Sequence, residues 1–416
     1  MAQGTNTNTT SFLVFIFQPF IGFLMSLKNL TSKSGRIIFI AFATLWGYSQ
    51  SFTYTPADVY RLGAAFCQYG IYDFSTIVDM FAEGKAIDGY LLLSNYLIHL
   101  FSDNAKVYFA WLGLVFGIVC YETMAQLVKE RKNGRNRIFG HIMFLFFVTS
   151  SIANMAMPRF WTAAWLAALI FLKVTQGHKR WGWLSLLLPL IHFSYIPISA
   201  ILLIITWSNR LLSLIPNTLF WVVCIMFLLS FAMPKTVIRQ LIPEEMIDDS
   251  PKLASKTGYV SESQKLKVEK ERSAYREANG IVTRSFHFLM KAGSFLMLLY
   301  FHRRRSIIKN DKKTWMTYIS VLALAFVVYF MTIIPSTGWR YVNVLWLMLY
   351  ILLHRYYDVF RPVQLRKVLL PLYAMNIYTI SFMFYLTYRT VDMLLFYAPL
   401  PFVIIHGIGF PPVYFV

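Results

Sequence analysis

The sequence predicts an all-helical, polytopic membrane protein. Hydrophobic residues make up 57% of the 416-residue chain, the mean hydropathy is +0.54, and only 14% of the residues are charged. This balance is too apolar for a soluble protein of this length. Apolar runs close to the roughly 20 residues that span a bilayer as a helix recur from end to end, with short polar loops between them. We therefore expect a single integral membrane domain over 1–416.

The basic residues indicate the direction in which the helices run. The chain has 39 Lys and Arg against 19 Asp and Glu, for a formal net charge of +20. Most of the basic residues lie in short loops, and an excess of Lys and Arg in short loops is typical of the cytoplasmic side of a membrane. The charge thus indicates topology and contact with membrane lipids, and no nucleic acid is expected as a partner. The basic clusters lie at 28–36, 129–137, 173–210, 303–313 and 355–367.

Placing these basic loops in the cytoplasm sets the order of the helices. The first apolar run follows an uncharged leader that lacks the basic region of a signal peptide, so we expect a retained helix that enters from outside. The chain should then cross the membrane about eleven times and end inside. The expected spans are 11–27, 37–52, 107–128, 138–154, 159–175, 213–233, 284–301, 314–334, 340–354, 367–388 and 392–409.

A short apolar stretch, 89–101, does not fit as a span. It lies within 53–106, most of which is rich in acidic residues. If it crossed, the basic cluster at 129–137 would fall outside, against the charge rule. We therefore expect 53–106 to be the first external loop, with 89–101 as a helix on the membrane surface.

A second apolar stretch, 181–207, is long for one span and is interrupted by Pro189 and Pro197. Proline removes a helical hydrogen bond and clashes with the preceding turn. A re-entrant hairpin with His192 at its tip keeps the later basic loops inside, and such broken helices occur where they line a cavity or are buried in protein. The segment 234–283 then becomes a large, charged external loop.

This topology gathers charged residues at the outer ends of helices. Arg159 opens one span and Arg340 another. A guanidinium group is planar, always charged and bidentate towards phosphate oxygens, and a helix start adds N–H groups and a positive dipole end. Converging arginines would therefore form a clamp for a diphosphate. The expected cavity is lined by Asp58, Tyr60, Arg61, Arg159, His192, Arg239 and Arg340.

Each of these residues also has a purely structural interpretation. Arginines at helix ends often extend to the interface, Asp58 could cap the helix that begins near Val59, and a lone histidine in an apolar stretch is commonly a packing residue. No metal-ligand spacing, P-loop, GxSxG or HExxH motif occurs, so no metal or cofactor is expected. Outside the membrane, any glycosyl or phosphoryl donor would have to be carried by a lipid.

Five short motifs share the predicted external side. They are Asp58-Val59-Tyr60-Arg61, Gly-Tyr-Leu-Leu-Leu at 89–93, Pro158-Arg159-Phe160-Trp161, Leu190-Ile191-His192-Phe193-Ser194 and Trp339-Arg340-Tyr341. In order and spacing the chain resembles the EpsG-like, Wzy-type polymerases of bacterial exopolysaccharide and O-antigen, over nearly its whole length. It departs from them at Ile87-Asp88, where the family often has an acidic residue and a proline, and in the length and charge of 234–283.

The resemblance implies a GT-C-like fold in the bacterial plasma (inner) membrane, with the active site facing the periplasm or exterior. It implies metal-independent polymerisation of oligosaccharide repeat units carried on undecaprenyl diphosphate, with a chain-length regulator as a partner. Arg159 and Arg340, helped by Arg239, would stabilise the departing diphosphate, and either Asp58 or His192 would deprotonate the acceptor hydroxyl. The substrate contacts would come from Tyr60, Arg61, Arg239, Trp339 and Tyr341.

Two other functions remain open on the same residues. A flippase or exporter of lipid-linked oligosaccharide would also have many helices, a broken hairpin and arginines in a cavity. Transporters usually carry internal repeats, however, and no recurring period relates the two halves of this sequence. Another membrane transferase, such as an O-antigen ligase or an acyltransferase, would act on similar lipid-linked sugars.

Overall fold

The computed structural model describes residues 3–54, 57–69, 73–83, 88–131, 137–232, 285–333, 338–362 and 365–409. Within these ranges the chain is helical and contains no strand, apart from an isolated bridge between Gln50 and Val391. The expected all-helical class is therefore confirmed. By length and composition, four helices in the described part could cross a membrane: Ala105–Lys129, Arg137–Ala156, Lys312–Met331 and Lys367–Thr390.

The helices are numbered in chain order. The first nine are α1 Gln3–Phe17, α2 Pro19–Lys28, α3 Lys33–Tyr48, α4 Asp58–Tyr69, α5 Phe74–Ala82, α6 Gly89–His99, α7 Ala105–Lys129, α8 Arg137–Thr149 and α9 Pro158–Thr175, with a 3₁₀ helix at Ile152–Ala156. Next come a 3₁₀ helix Lys179–Leu186, α10 Leu187–Ile191, a 3₁₀ turn Phe193–Tyr195, α11 Ile196–Leu212 and α12 Pro216–Ala232. The rest are α13 at 285–303, α14 Arg305–Ile308, α15 Lys312–Met331, α16 Gly338–Phe360, α17 Leu365–Thr390, α18 Leu394–Tyr397 and α19 Leu400–Gly409.

Glycines allow α3 and α7 to pack closely. A Cβ atom on Gly47 would collide with the carbonyl oxygen of Phe109, and one on Gly113 with that of Ala43. Because position 47 faces 109 and position 43 faces 113, the two helices are antiparallel. The end of α3 and the start of α7 therefore lie at the same end of the bundle. We call this the site end and the other the opposite end.

The other long helices can be oriented against α7. Late residues of α9 lie beside late residues of α7, since Lys173 donates to the side chain of Gln126 over 2.8 Å, so α9 starts at the site end. Helix α16 also starts there, because Arg355 near its other end reaches Glu130 just after α7. Helices α12 and α13 are antiparallel, with the Lys291 ammonium 3.1 Å from the Ser230 carbonyl oxygen. The predicted loop 234–283 between them lies outside the described residues.

At the opposite end, one buried carboxylate joins four helix ends. Glu130 accepts two 3.0 Å hydrogen bonds from the guanidinium of Arg355 and pairs with Lys313 at 2.9 Å. It also accepts from the amide of Gln176. Arg355 in turn donates to the hydroxyl of Thr175 over 2.6 Å. This network ties α7, α9, α15 and α16 together at the opposite end.

The first and last expected spans are wrong in detail, because proline interrupts both. The 11–27 span is divided between α1 and α2, since proline at position 19 has no N–H and disfavours a helical residue before it; Gln18 has φ −151° and ψ 86°. Helix α1 packs back on α2, where a Cβ on Gly22 would lie 2.6 Å from the Cα of Phe15. The 392–409 span is likewise two short helices, separated at Ala398 and Pro399.

Candidate functional site

The starts of α9 and α16 meet the turn between α10 and α11 at the site end. Phe160 lies between them, with its ring centre 5.7 Å from that of His192 and 5.5 Å from that of Tyr341. The Tyr195 hydroxyl donates to the carbonyl of Phe160 over 3.0 Å, and the Tyr341 hydroxyl donates to the carbonyl of Ser194 over 2.5 Å. Three segments that are distant in sequence thus form one wall.

Arg159 is held by Asp88, a carboxylate that was not among the expected site residues. One oxygen of Asp88 lies 2.5 Å from the guanidinium of Arg159, and the other accepts the backbone N–H of Phe193 over 2.8 Å. The Asp88 side chain is 7% exposed and that of Arg159 is 36% exposed. A single buried carboxylate therefore connects the segment before α6, the start of α9 and the turn that carries His192.

A sequence signal for Asp88 existed, but it indicated a different role. Asp88 directly precedes α6, and aspartate is preferred at that position because its side chain can cap the helix. The Asp88 side chain makes no capping hydrogen bond to α6. It turns instead to Arg159, whose position 71 residues later cannot be inferred from local sequence.

One tyrosine beside this ion pair, Tyr90, stays neutral. Tyr90 follows Asp88 by two residues, and its burial raises the pKa of its hydroxyl well above the usual value. Tyr108 of α7 interacts electrostatically with both Tyr90 and Arg159. A phenol that stays protonated adds no negative charge, so Tyr90 does not weaken the attraction of Arg159 for an anion.

Arg340 lies in the first turn of α16, over the same aromatic ring. Its guanidinium carbon is 5.8 Å from the centre of the Phe160 ring. Asp58 attracts the guanidinium and Arg61 repels it. The Nε atom of Arg340 is buried and has no hydrogen-bond partner in the described part of the chain. Because a buried donor without an acceptor is costly, an oxygen-rich ligand would gain a favourable contact here.

Asp58 is the first residue of α4 and forms an ion pair with Arg61, one turn later. A carboxylate in the first turn of a helix is stabilised by the helix dipole. The side chain of Asp58 nevertheless remains 30% exposed, and it lies close enough to interact electrostatically with Arg340. Asp58 therefore combines access to solvent with proximity to a cation.

The hydrogen bonds of His192 indicate its tautomer. The imidazole Nδ1 accepts the backbone N–H of Ser194 at 3.3 Å and contacts the Ser194 hydroxyl at 2.6 Å. Because a backbone N–H can only donate, Nδ1 carries no proton in the neutral ring, and the proton lies on Nε2. In this tautomer Nε2 is a hydrogen-bond donor.

Two of the residues expected to bind substrate, Tyr60 and Tyr341, take part in packing. Tyr60 packs against a second apolar core that includes Phe66 and Phe109. Tyr341 was expected to contact substrate, but its side chain is buried and its hydroxyl is bonded to Ser194. Arg239 and the side chain of Trp339 lie outside the described residues.

Comparison with known proteins gives no match, whether to a family model, to a curated protein or to a solved structure. Over the described residues, the fold and the site define a class: an all-helical protein with four helices suited to a membrane and an arginine in the first turn of each of two neighbouring helices. Function is inferred from that geometry together with the sequence motifs.

Proposed function

We propose that this chain is a membrane glycosyltransferase that polymerises undecaprenyl-diphosphate-linked oligosaccharide repeat units on the outer face of the bacterial plasma membrane. The observation that carries the proposal is the position of Arg159 and Arg340 in the first turns of α9 and α16 at the site end, with Arg340 over the ring of Phe160 and its Nε without a partner among the described residues. Two guanidinium groups at neighbouring helix starts suit a diphosphate.

The proposed reaction is an inverting displacement. The oxygen of an acceptor hydroxyl attacks the anomeric carbon of the donor sugar, a new C–O bond forms, and the bond to the diphosphate breaks. The electron pair of that bond leaves with the diphosphate oxygen, where Arg159 and Arg340 stabilise the charge. The proton of the acceptor hydroxyl passes to a general base, a contribution worth about 10²–10⁴-fold in rate.

Among the acidic and histidine candidates, Asp58 is the proposed base. It is partly exposed and interacts with Arg340, so an acceptor could reach it beside the leaving group. Both oxygens of Asp88 are already engaged, which suits a positioning residue. His192 has its proton on Nε2 because Nδ1 is an acceptor, which suits a donor to the diphosphate rather than a base.

The proposal includes about eleven spans, the first and the last each broken at a proline, and a re-entrant hairpin at 181–207 in a GT-C-like arrangement. The hairpin is supported by contacts between its arms: the hydroxyls of Ser185 and Ser199 each donate to the carbonyl of the other, over 3.3 and 2.8 Å. A Cβ on Gly182 would collide with Thr206, so the arms pack closely. The outward orientation is supported by the basic residues at the opposite end.

An elongation assay tests the proposal. Purified protein in lipid vesicles, given lipid-linked repeat units, should produce a ladder of lengthened products without added nucleotide. Arg159→Ala and Arg340→Ala should abolish the ladder. Arg36→Ala is the matched control, since Arg36 is an exposed arginine at the opposite end, paired with Glu122 at 2.8 Å, and it should leave the ladder intact.

The same assay separates the competing functions. Substrate that changes leaflet without lengthening would indicate a flippase or exporter. Transfer to an acceptor other than a repeat unit would indicate a ligase or an acyltransferase. Thermal unfolding of each variant distinguishes loss of chemistry from loss of fold.

A further inference from the structure

The hairpin exposes tryptophan near the opposite end of the bundle. The side chains of Trp183 and Trp207 are 56% and 54% exposed, and their ring centres are 5.9 Å apart. The ammonium of Lys179 lies 5.4 Å from the centre of the Trp207 ring. The next residue, Arg180, is also exposed. Cations therefore adjoin an exposed aromatic pair.

The packing of the hairpin creates this surface. In a 3₁₀ helix residues three apart share a face. The face that carries Gly182 and Ser185 packs against α11. Another face of the same helix carries Arg180, Trp183 and Leu186, all exposed. The outer side of α11 continues the apolar area through exposed residues spaced three and four apart, which are Ile204, Trp207 and Leu211.

The charges carried by the hairpin itself have one sign. No acidic residue occurs in the sequence between Glu130 and Glu244, so the cations next to the tryptophans have no acidic neighbour on the hairpin. A second copy of the chain related by a twofold axis would place the same cations against each other. An anionic amphiphile would match both the cations and the apolar area.

We propose that this surface is a binding site for an anionic phospholipid. The lipid phosphate lies at Lys179 and Arg180, and an acyl chain lies along Trp183, Trp207 and Leu186. Tryptophan is enriched at the level of lipid headgroups, and basic side chains there attract anionic lipids. The inference rests on the membrane insertion contained in the proposed function, but not on the proposed chemistry. The bound lipid would stabilise the first arm of the hairpin, which leads to His192.

Tryptophan quenching tests the site directly. The full chain is reconstituted in phosphatidylcholine vesicles in which a tenth of the lipid is brominated, either phosphatidylglycerol or phosphatidylcholine. Brominated phosphatidylglycerol should quench more strongly, and Trp183→Phe/Trp207→Phe should remove most of that excess. Lys179→Gln/Arg180→Gln should lower the preference for phosphatidylglycerol by about fivefold for each charge removed.

Lys33→Gln/Lys309→Gln is the matched control. Both lysines are exposed, both belong to the basic clusters of the opposite end, and the change in net charge is the same. The control should retain the full excess quenching.

Equal quenching by the two lipids in wild-type protein, or an equal loss in the control variant, would overturn the lipid site. If quenching of the tryptophans by brominated lipid becomes weaker as the protein-to-lipid ratio rises, the surface binds a second copy of the chain, and the lipid site would also be overturned. Failure of the wild-type chain to enter vesicles would instead count against the proposed membrane protein itself.

Discussion

Replacing Asp88 by Asn and by Ala separates the two bonds that its carboxylate makes. Asn keeps an oxygen for the N–H of Phe193 but removes the charge that faces Arg159. A hydrogen bond between charged groups is worth about 1.5–3 kcal/mol. Because Arg159 is 36% exposed, water compensates for part of this bond. We therefore expect Asp88→Asn to lower the free energy of unfolding by about 1–2 kcal/mol. Ala also leaves the Phe193 N–H unpaired, which costs a further 1–3 kcal/mol or so.

Unfolding of the purified variants in detergent, followed by tryptophan fluorescence, measures these losses. Asp103→Asn is the control, because Asp103 is 86% exposed and pairs with His99 at 2.8 Å; its effect should stay within about 0.5 kcal/mol. The reasoning is refuted if Asp88→Asn and Asp88→Ala destabilise equally, or if neither exceeds the control. In the elongation assay Asp88→Asn should slow chain growth, since Arg159 loses the group that positions it.

Two further predictions concern the helix contacts. Arg355→Ala should lower the free energy of unfolding by about 3–5 kcal/mol, since it leaves the Glu130 carboxylate buried with fewer partners. Lys309→Ala, an exposed change at the same end, should change it by no more than about 0.5 kcal/mol. Equal losses of stability in the two variants would contradict the network. Gly47→Ala should destabilise by about 1–3 kcal/mol because its Cβ meets the backbone of α7. Gly140→Ala, where nothing lies within 4 Å of the added Cβ, should be neutral or stabilising by up to about 1 kcal/mol in the same unfolding measurement.

The helices that sequence predicts well are those with long apolar runs and clear ends. The expected 107–128 and 159–175 spans agree with α7 and α9 to within two residues at either end, because Asn104 caps the first and Pro158 begins the second. Proline inside an apolar run accounts for the main differences: Pro19 and Pro399 divide the expected 11–27 and 392–409 spans, just as Pro189 and Pro197 predict a break within 181–207.

The site was predictable in its helix starts but not in its pairing. Arg159 and Arg340 lie in the first turns of helices, as expected, and Arg340 lies over the ring of Phe160, the residue that follows Arg159. Which acid holds which arginine depends on how distant segments pack, and that information is not local. Asp58, which the motif predicts as a site residue, pairs with Arg61 within one turn, whereas Asp88, where the chain departs from the family pattern, makes the long-range bond.

The Glu130 network has a mechanical consequence. It fixes α9 and α16 at the opposite end, while Arg159 and Arg340 lie at the site end of the same helices. Helix α9 has 18 residues, so at about 1.5 Å per residue it is a lever roughly 27 Å long. A tilt of about 5° around the fixed end would move its tip by about 2 Å, comparable to the length of a hydrogen bond. Small rotations about a pivot on the far side of the protein would therefore change the distance between Arg159 and Arg340, and with it their hold on the proposed diphosphate.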